Sequence, residues 1–211
     1  MIALTWDAEK ARRKREICEV LTRIGALRFG TFELSGGRLS PYYIDLRIAL
    51  SFPDAFQRIV DIYLEMVEHE VGLERFKRIA GIPTAGVPFA SVLAYKLHKP
   101  FIYTRKEAKG YGRGRRVEGI LHPGDTVLLV DDLITSGTNL LSATEAIVAE
   151  GGVIQDALVL IDREEGGRQA LTAQTIRLHE LIRITEAVEV LSEMDAITQE
   201  QLTDVLTQIK E

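Results

Sequence analysis

The chain has 211 residues, 46% of them hydrophobic and 27% charged, with a formal net charge of -5. That is the make-up of an ordinary globular protein long enough for one well-filled core, and the acidic balance argues against a nucleic-acid-binding body. A single cysteine excludes an internal disulfide, four scattered histidines leave no zinc spacing, and no apolar run approaches the ~20 residues of a membrane span. The N-terminus lacks the basic-then-apolar pattern of a secretion signal, so a cytoplasmic address is expected.

Residues 7–25 are expected to form an amphipathic helix. Asp7 is its N-cap, Arg12 to Arg15 are mostly solvated, and Gly25 is its stop. Ile17, Val20, Leu21 and Ile24 share a face with Cys18, which makes that thiol core filler rather than a nucleophile. In RFGTFELSGGRLSPYYIDLR, which follows, near-alternate Phe29, Phe32 and Leu34 are punctuated by Gly30 and Gly36-Gly37, indicating short antiparallel strands and turns. From Pro53 the spacing of Phe56, Ile59, Val60, Tyr63, Leu64 and Val67 predicts a second helix to about His69. A strand over 78–82 ends in Pro83-Thr84-Ala85-Gly86, a helix covers 87–97, and another strand runs over 99–104. A basic, glycine-rich stretch follows, then strands over 126–130 and 153–161, the latter ending in Asp162-Arg163. From about Leu178 the chain reads as strand then helices, with Thr198 and Gln201 as a capping box for the last. Strands alternating with helices predict an α/β fold, a doubly wound, mostly parallel sheet flanked by helices, with ligands bound beyond the strands' carboxyl ends.

Two segments carry chemistry. TVLLVDDLITSGTNL joins an apolar strand to Asp131 and Asp132, then Thr135-Ser136-Gly137-Thr138, then a helix through Ala149 that Gly151-Gly152 stops. Backbone N–H groups and the positive end of a helix dipole converge at such a turn and suit a phosphate. Two carboxylates repel a bare phosphate, so they should face sugar hydroxyls or a hydrated divalent cation. TSGT alone is more often a plain helix cap, and the spacing is neither that of a Walker loop nor that of a dinucleotide fingerprint. The other segment, YTRKEAKGYGRGRR, sets Arg105, Lys106, Lys109, Arg113, Arg115 and Arg116 against one acid, Glu107, with Gly110, Gly112 and Gly114 between them. A cationic glycine-rich loop beside a phosphate cradle can clamp a polyanionic leaving group and exclude water.

VDDLITSGT resembles the loop that binds phosphoribosyl pyrophosphate (PRPP) in type I phosphoribosyltransferases. Together with SGGRLSPYYIDLR, TRKEAKGYG and the Asp162-Arg163 strand end, over nearly the whole chain, the pattern is similar to the orotate phosphoribosyltransferases. The resemblance implies one domain over 1–211, with a small hood from about 26–50 and about 163–211. It implies transfer of ribose 5-phosphate from PRPP to orotate with Mg²⁺ in pyrimidine biosynthesis, by a homodimer whose Lys109 loop crosses into the neighbouring subunit's site. It gives Thr135, Ser136, Gly137 and Thr138 the 5′-phosphate, sets Asn139 among the PRPP-binding residues, and gives Asp131 and Asp132, both catalytic, the ribose hydroxyls. Lys109 is the catalytic lysine, with Arg105, Lys106, Tyr111, Thr84 and Ala85 toward the pyrophosphate. Tyr43, Ile44, Thr135 and Arg163 serve orotate, Arg163 pairing with its carboxylate. The metal is held mainly by PRPP and water near Asp131 and Asp132, with no direct protein ligand.

Three departures from the family's usual pattern stand out: Ser35 and Thr84-Ala85 stand where lysine and tyrosine-lysine are common, and Tyr111 where histidine is. Losing these cations should weaken PRPP binding unless Arg113, Arg115 or Arg116 compensates. Transfer to another base, or a PRPP-sensing regulator of nucleic acid on the same fold, are the alternatives. Lys109, the acidic charge and the lack of an appended winged helix weigh against the regulator.

Overall fold

Val127, Leu128, Leu129 and Val130 are buried, as expected of a strand covered on both faces. In the computed structural model, which describes residues 5–33, 37, 39–105 and 116–210, the chain divides into two units, Val60–Glu180 and Met1–Ile59 with Leu181–Glu211.

The strands of the larger sheet are β3 (Arg78–Gly81), β4 (Phe101–Thr104), β5 (Val117–Glu118), β6 (Thr126–Val130), β7 (Leu133–Ile134), β8 (Val153–Asp162) and β9 (Arg177–Arg183). Their order is β5-β4-β3-β6-β8-β7, with β9 also paired to β8. β3 pairs in parallel with β4 and β6, and β8 in parallel with β6 and β7, while β5 runs antiparallel to β4. The fold class read from the sequence therefore holds: an α/β arrangement with a mostly parallel sheet flanked by helices.

From β3 the chain crosses through α3 (Gly86–Lys96) to β4 on one side, and from β6 through α4 (Thr138–Ala149) to β8 on the other. Right-handed crossovers in opposite directions place helices on opposite faces and open a crevice between the carboxyl ends of β3 and β6. On one face Leu140, Ala143 and Ile147 of α4 pack with Ala80, Ile102, Leu129 and Val159. Strand β6 and helix α4 start and stop where the sequence placed them. Strands β5 and β7 and helix α5 (Gly167–Ala173) were not expected.

In the other unit α1 (Trp6–Arg23) precedes an antiparallel pair, β1 (Leu27–Glu33) and β2 (Leu39–Ile44). Helix α2 (Pro53–Met66) begins there, and α6 (Ile184–Glu193) and α7 (Gln199–Lys210) complete it. The N-cap of α1 is Thr5, not Asp7, which sits in the first turn where its charge meets the helix dipole. Arg13 is buried rather than solvated, because Glu9 and Glu16, one turn to either side, neutralise it. Gly25 closes the helix as expected: its φ of +72° lets the Ala26 N–H reach back 2.9 Å to the Leu21 carbonyl. Cys18 is buried, and burial pushes its thiol up to about 12, which suits packing and not nucleophilic chemistry. Thr198 and Gln201 form the reciprocal capping box, at 2.9 and 3.2 Å.

Candidate active site

The crevice is built from the chain as it leaves β6. Gly137, at φ +81°, is the N-cap of α4, and the first intrahelical bond of the helix, Leu141 N–H to the Gly137 carbonyl, is 2.9 Å. The N–H groups of Thr138, Asn139 and Leu140 belong to that first turn, whose donors have no partner within the helix, and the dipole of a twelve-residue helix adds to them. Ser136, Thr138 and Asn139 are exposed, Thr135 is half-buried, and the Ser136 and Thr138 hydroxyls lie 2.9 Å apart. The four residues read as a phosphate turn thus lie together in one open bend. Helix α5 backs it: a Cβ on Gly167 would come 2.4 Å from the Thr135 carbonyl, and one on Gly137 would come 3.3 Å from Gly167. This support was invisible in the sequence, where no helix was expected at 167–173.

Asp131 and Asp132 differ in their surroundings. Asp131 is buried, its Oδ1 accepts the Asp132 N–H at 2.9 Å, and its own N–H donates 3.0 Å to the Leu158 carbonyl. Burial, reinforced by the neighbouring charge of Asp132, lifts the Asp131 carboxyl well above the ordinary carboxylate range. Asp132 is only half-buried, with its carbonyl accepting from Leu160 N–H at 3.0 Å. One acid is therefore part of the frame, and the other retains access to solvent.

The turn after β3 closes against this pair. A Cβ on Gly86 would lie 2.7 Å from both Asp131 Oδ1 and the Val130 carbonyl, so only glycine admits that approach. Gly86→Ala is accordingly expected to cost about 1–3 kcal/mol of stability, measured by thermal melting. The Pro83-Thr84 peptide bond is cis. Thr84 lines a cavity of about 600 Å³ together with Pro83, Val87, Pro88, Tyr103, Thr104 and Arg105. Two residues expected at the pyrophosphate, Thr84 and Arg105, thus share one cavity.

Arg105 is not simply a waiting cation, since its Nε lies 2.7 Å from Glu118 Oε1. Its backbone N–H donates to the Arg116 carbonyl at 2.8 Å, and the Arg116 guanidinium reaches the Ser142 hydroxyl at 2.8 Å. Both ends of the cationic segment are therefore fixed to the sheet and α4; Lys106, Lys109, Tyr111, Arg113 and Arg115 lie outside the described residues, as does Ser35. Arg163 follows β8, is buried, and lies 2.9 Å from Glu165 Oε1, an internal carboxylate the sequence did not flag. Arg168 braces the same turn through Asp162 at 3.4 Å and through Glu180. In the other unit, Ile44 is buried in β2, and the Tyr43 ring lies 5.7 Å from that of Phe32 with the Arg28 guanidinium 5.2 Å away.

Among the described residues no three His, Cys, Asp or Glu side chains come together as a metal-ligand set. The half-buried Asp132 beside the turn at 135–138 fits a hydrated divalent ion brought in by a ligand's own oxygens. No helix of the described residues is long and apolar enough to cross a membrane.

The Phosphoribosyl transferase domain family matches residues 58–190. The orotate phosphoribosyltransferase of Cenarchaeum symbiosum is 46% identical over 172 residues, which cover 82% of this chain and 84% of that protein. The crystal structure of orotate phosphoribosyltransferase from Aeropyrum pernix superposes with a TM-score of 0.75 at 34% identity, covering 86% of this chain and 99% of that one. The structure of Leishmania donovani UMP synthase gives 0.82 at 30% identity over 93% of this chain, which spans 42% of that longer protein. With 46% identity to one orotate phosphoribosyltransferase over 84% of its length, and the fold of another over 99% of its length, the chain belongs to the orotate phosphoribosyltransferase family.

Proposed function

We propose that this chain transfers ribose 5-phosphate from PRPP to N1 of orotate, giving orotidine 5′-monophosphate and pyrophosphate for pyrimidine biosynthesis. The observation that carries the reading is the open turn at 135–138 directly beyond the acidic pair, in a chain 46% identical to an orotate phosphoribosyltransferase. The first-turn N–H groups of α4 and the hydroxyls of Thr135, Ser136 and Thr138 hold the 5′-phosphate, with Asn139 beside them. Asp132, and behind it Asp131, face the ribose hydroxyls and favour the positive charge that grows on the ring as the bond to pyrophosphate breaks. Thr84, Ala85 and Arg105 receive the departing pyrophosphate, joined by Lys106, Lys109 and Tyr111. Arg163 takes the orotate carboxylate, which its planar guanidinium fits, and Tyr43, Ile44 and Thr135 keep the orotate contacts the resemblance gives them.

Mg²⁺, held mainly by PRPP oxygens and water near Asp131 and Asp132, neutralises charge on the pyrophosphate when bound. A homodimer sharing the Lys109 loop, and a cytoplasmic address, belong to the same reading.

The test is loss of orotate absorbance on adding PRPP and Mg²⁺; no loss with active, folded protein would refute the reading. Arg163→Gln is expected to raise the KM for orotate about a hundredfold by removing a charge-assisted pair, and to change the KM for PRPP little. An equal rise in both would move Arg163 away from the base.

A further inference from the structure

Tyr63 fits the apolar stripe of α2, and by sequence it needs no other role. Its side chain is fully buried, yet its hydroxyl donates 2.8 Å to the backbone carbonyl of Asp131. That carbonyl lies where β6 ends. Just before it, the Val130 carbonyl accepts from Ile82 N–H at 3.1 Å, and just after it, the Asp132 carbonyl accepts from Leu160 N–H. The tyrosine supplies a donor at the step between. The N–H of the same peptide unit, that of Asp132, donates to the Asp131 carboxylate. The peptide joining the two acids is thus held at its oxygen by Tyr63 and at its nitrogen by Asp131. The Phe89 ring packs edge-on against the tyrosine ring, at 6.2 Å and 67°, on a part of the residue away from its hydrogen bond. Burial, with the charges of Asp132 and Asp131 nearby, raises the phenol well above its usual range, so it stays a neutral donor at working pH. A phenylalanine would fill this core equally well, and a buried hydroxyl costs free energy unless it is bonded.

We propose that Tyr63 is a positioning residue for the transfer: its hydroxyl fixes the tilt of the Asp131–Asp132 peptide and so aims the Asp132 carboxylate at the ribose. The inference rests on the reading of the site given above. Because the aimed carboxylate acts on charge that develops only as the bond breaks, loss of the hydroxyl changes kcat more than substrate binding.

The experiment compares Tyr63→Phe with two analogues placed at residue 63, 4-methylphenylalanine (same bulk, no donor) and 4-aminophenylalanine (an N–H donor in the same place). Phenylalanine and the methyl analogue are expected to lower kcat about tenfold, the scale of a small misplacement of a catalytic group, with the Kd for PRPP changed less than threefold. The amino analogue should recover most of the loss. Phe89→Leu, which leaves the hydroxyl in place, should lower the melting temperature while kcat holds. If the methyl analogue turns over like the unaltered protein, or if Phe89→Leu loses as much kcat as Tyr63→Phe, the proposal is overturned. If the unaltered protein itself fails to consume orotate, the functional reading has failed instead.

Discussion

Asp132→Asn is expected to lower turnover of orotate about a thousandfold while the protein stays folded, the scale seen when one preorganised electrostatic contact to a transition state is removed. The asparagine keeps the shape of the side chain, and the backbone bond from Leu160 N–H to the residue 132 carbonyl is untouched, so the sheet has no reason to move. What disappears is a negative charge beside a sugar ring that becomes cationic. Asp131→Asn should be milder, about tenfold, because an asparagine Oδ1 can still accept the residue 132 N–H and because burial already disfavours charge at 131. The order of the two effects is the informative part. Steady-state kinetics on both variants measures it, and a larger loss at 131 than at 132 would reverse the roles assigned to the two acids.

Lys109→Ala should also depress kcat by about two to three orders of magnitude, with PRPP affinity falling much less, since charge on the pyrophosphate oxygens grows only as the leaving group departs. The prediction rests on the motif, because the lysine lies outside the described residues; the two ends of its segment, Arg105 and Arg116, are bonded to each other and to Ser142 of α4. Sharing of the loop between subunits has its own readout. Mixing Lys109→Ala with Asp132→Asn under conditions that exchange chains should restore activity above either variant alone, and an unchanged rate in the mixture would place the whole site within one chain. A fall in PRPP affinity as large as the fall in kcat would make Lys109 a binding group instead.

Much of the frame was legible because it is written in local patterns. Strand β6 is a β-branched, apolar run, and α4 is bounded by Gly137 and by Gly151 at φ +89°, so both ends follow from residue chemistry. Strands β5 and β7 are two residues long and have no periodicity to detect, while α5 offers seven residues, too few to show a helical face. The acidic pair and the hydroxylic turn could be found from spacing, but their supports could not. Tyr63 is 68 positions from Asp131, and Gly167 braces Thr135 from a different element. Arg13 was misjudged for a related reason: its neutralising glutamates matter only once the helix places them around it. Carboxylates standing against Arg105 and Arg163 likewise appear only in three dimensions.

The direct measurement is a crystal structure of the protein with PRPP and Mg²⁺. The 5′-phosphate should lie against the first-turn backbone N–H groups of α4, those of Thr138, Asn139 and Leu140, with the ribose hydroxyls toward Asp132 and the pyrophosphate toward Thr84. Density for PRPP anywhere else, or with its two ends exchanged so that the pyrophosphate fills the turn after β7, would contradict the account.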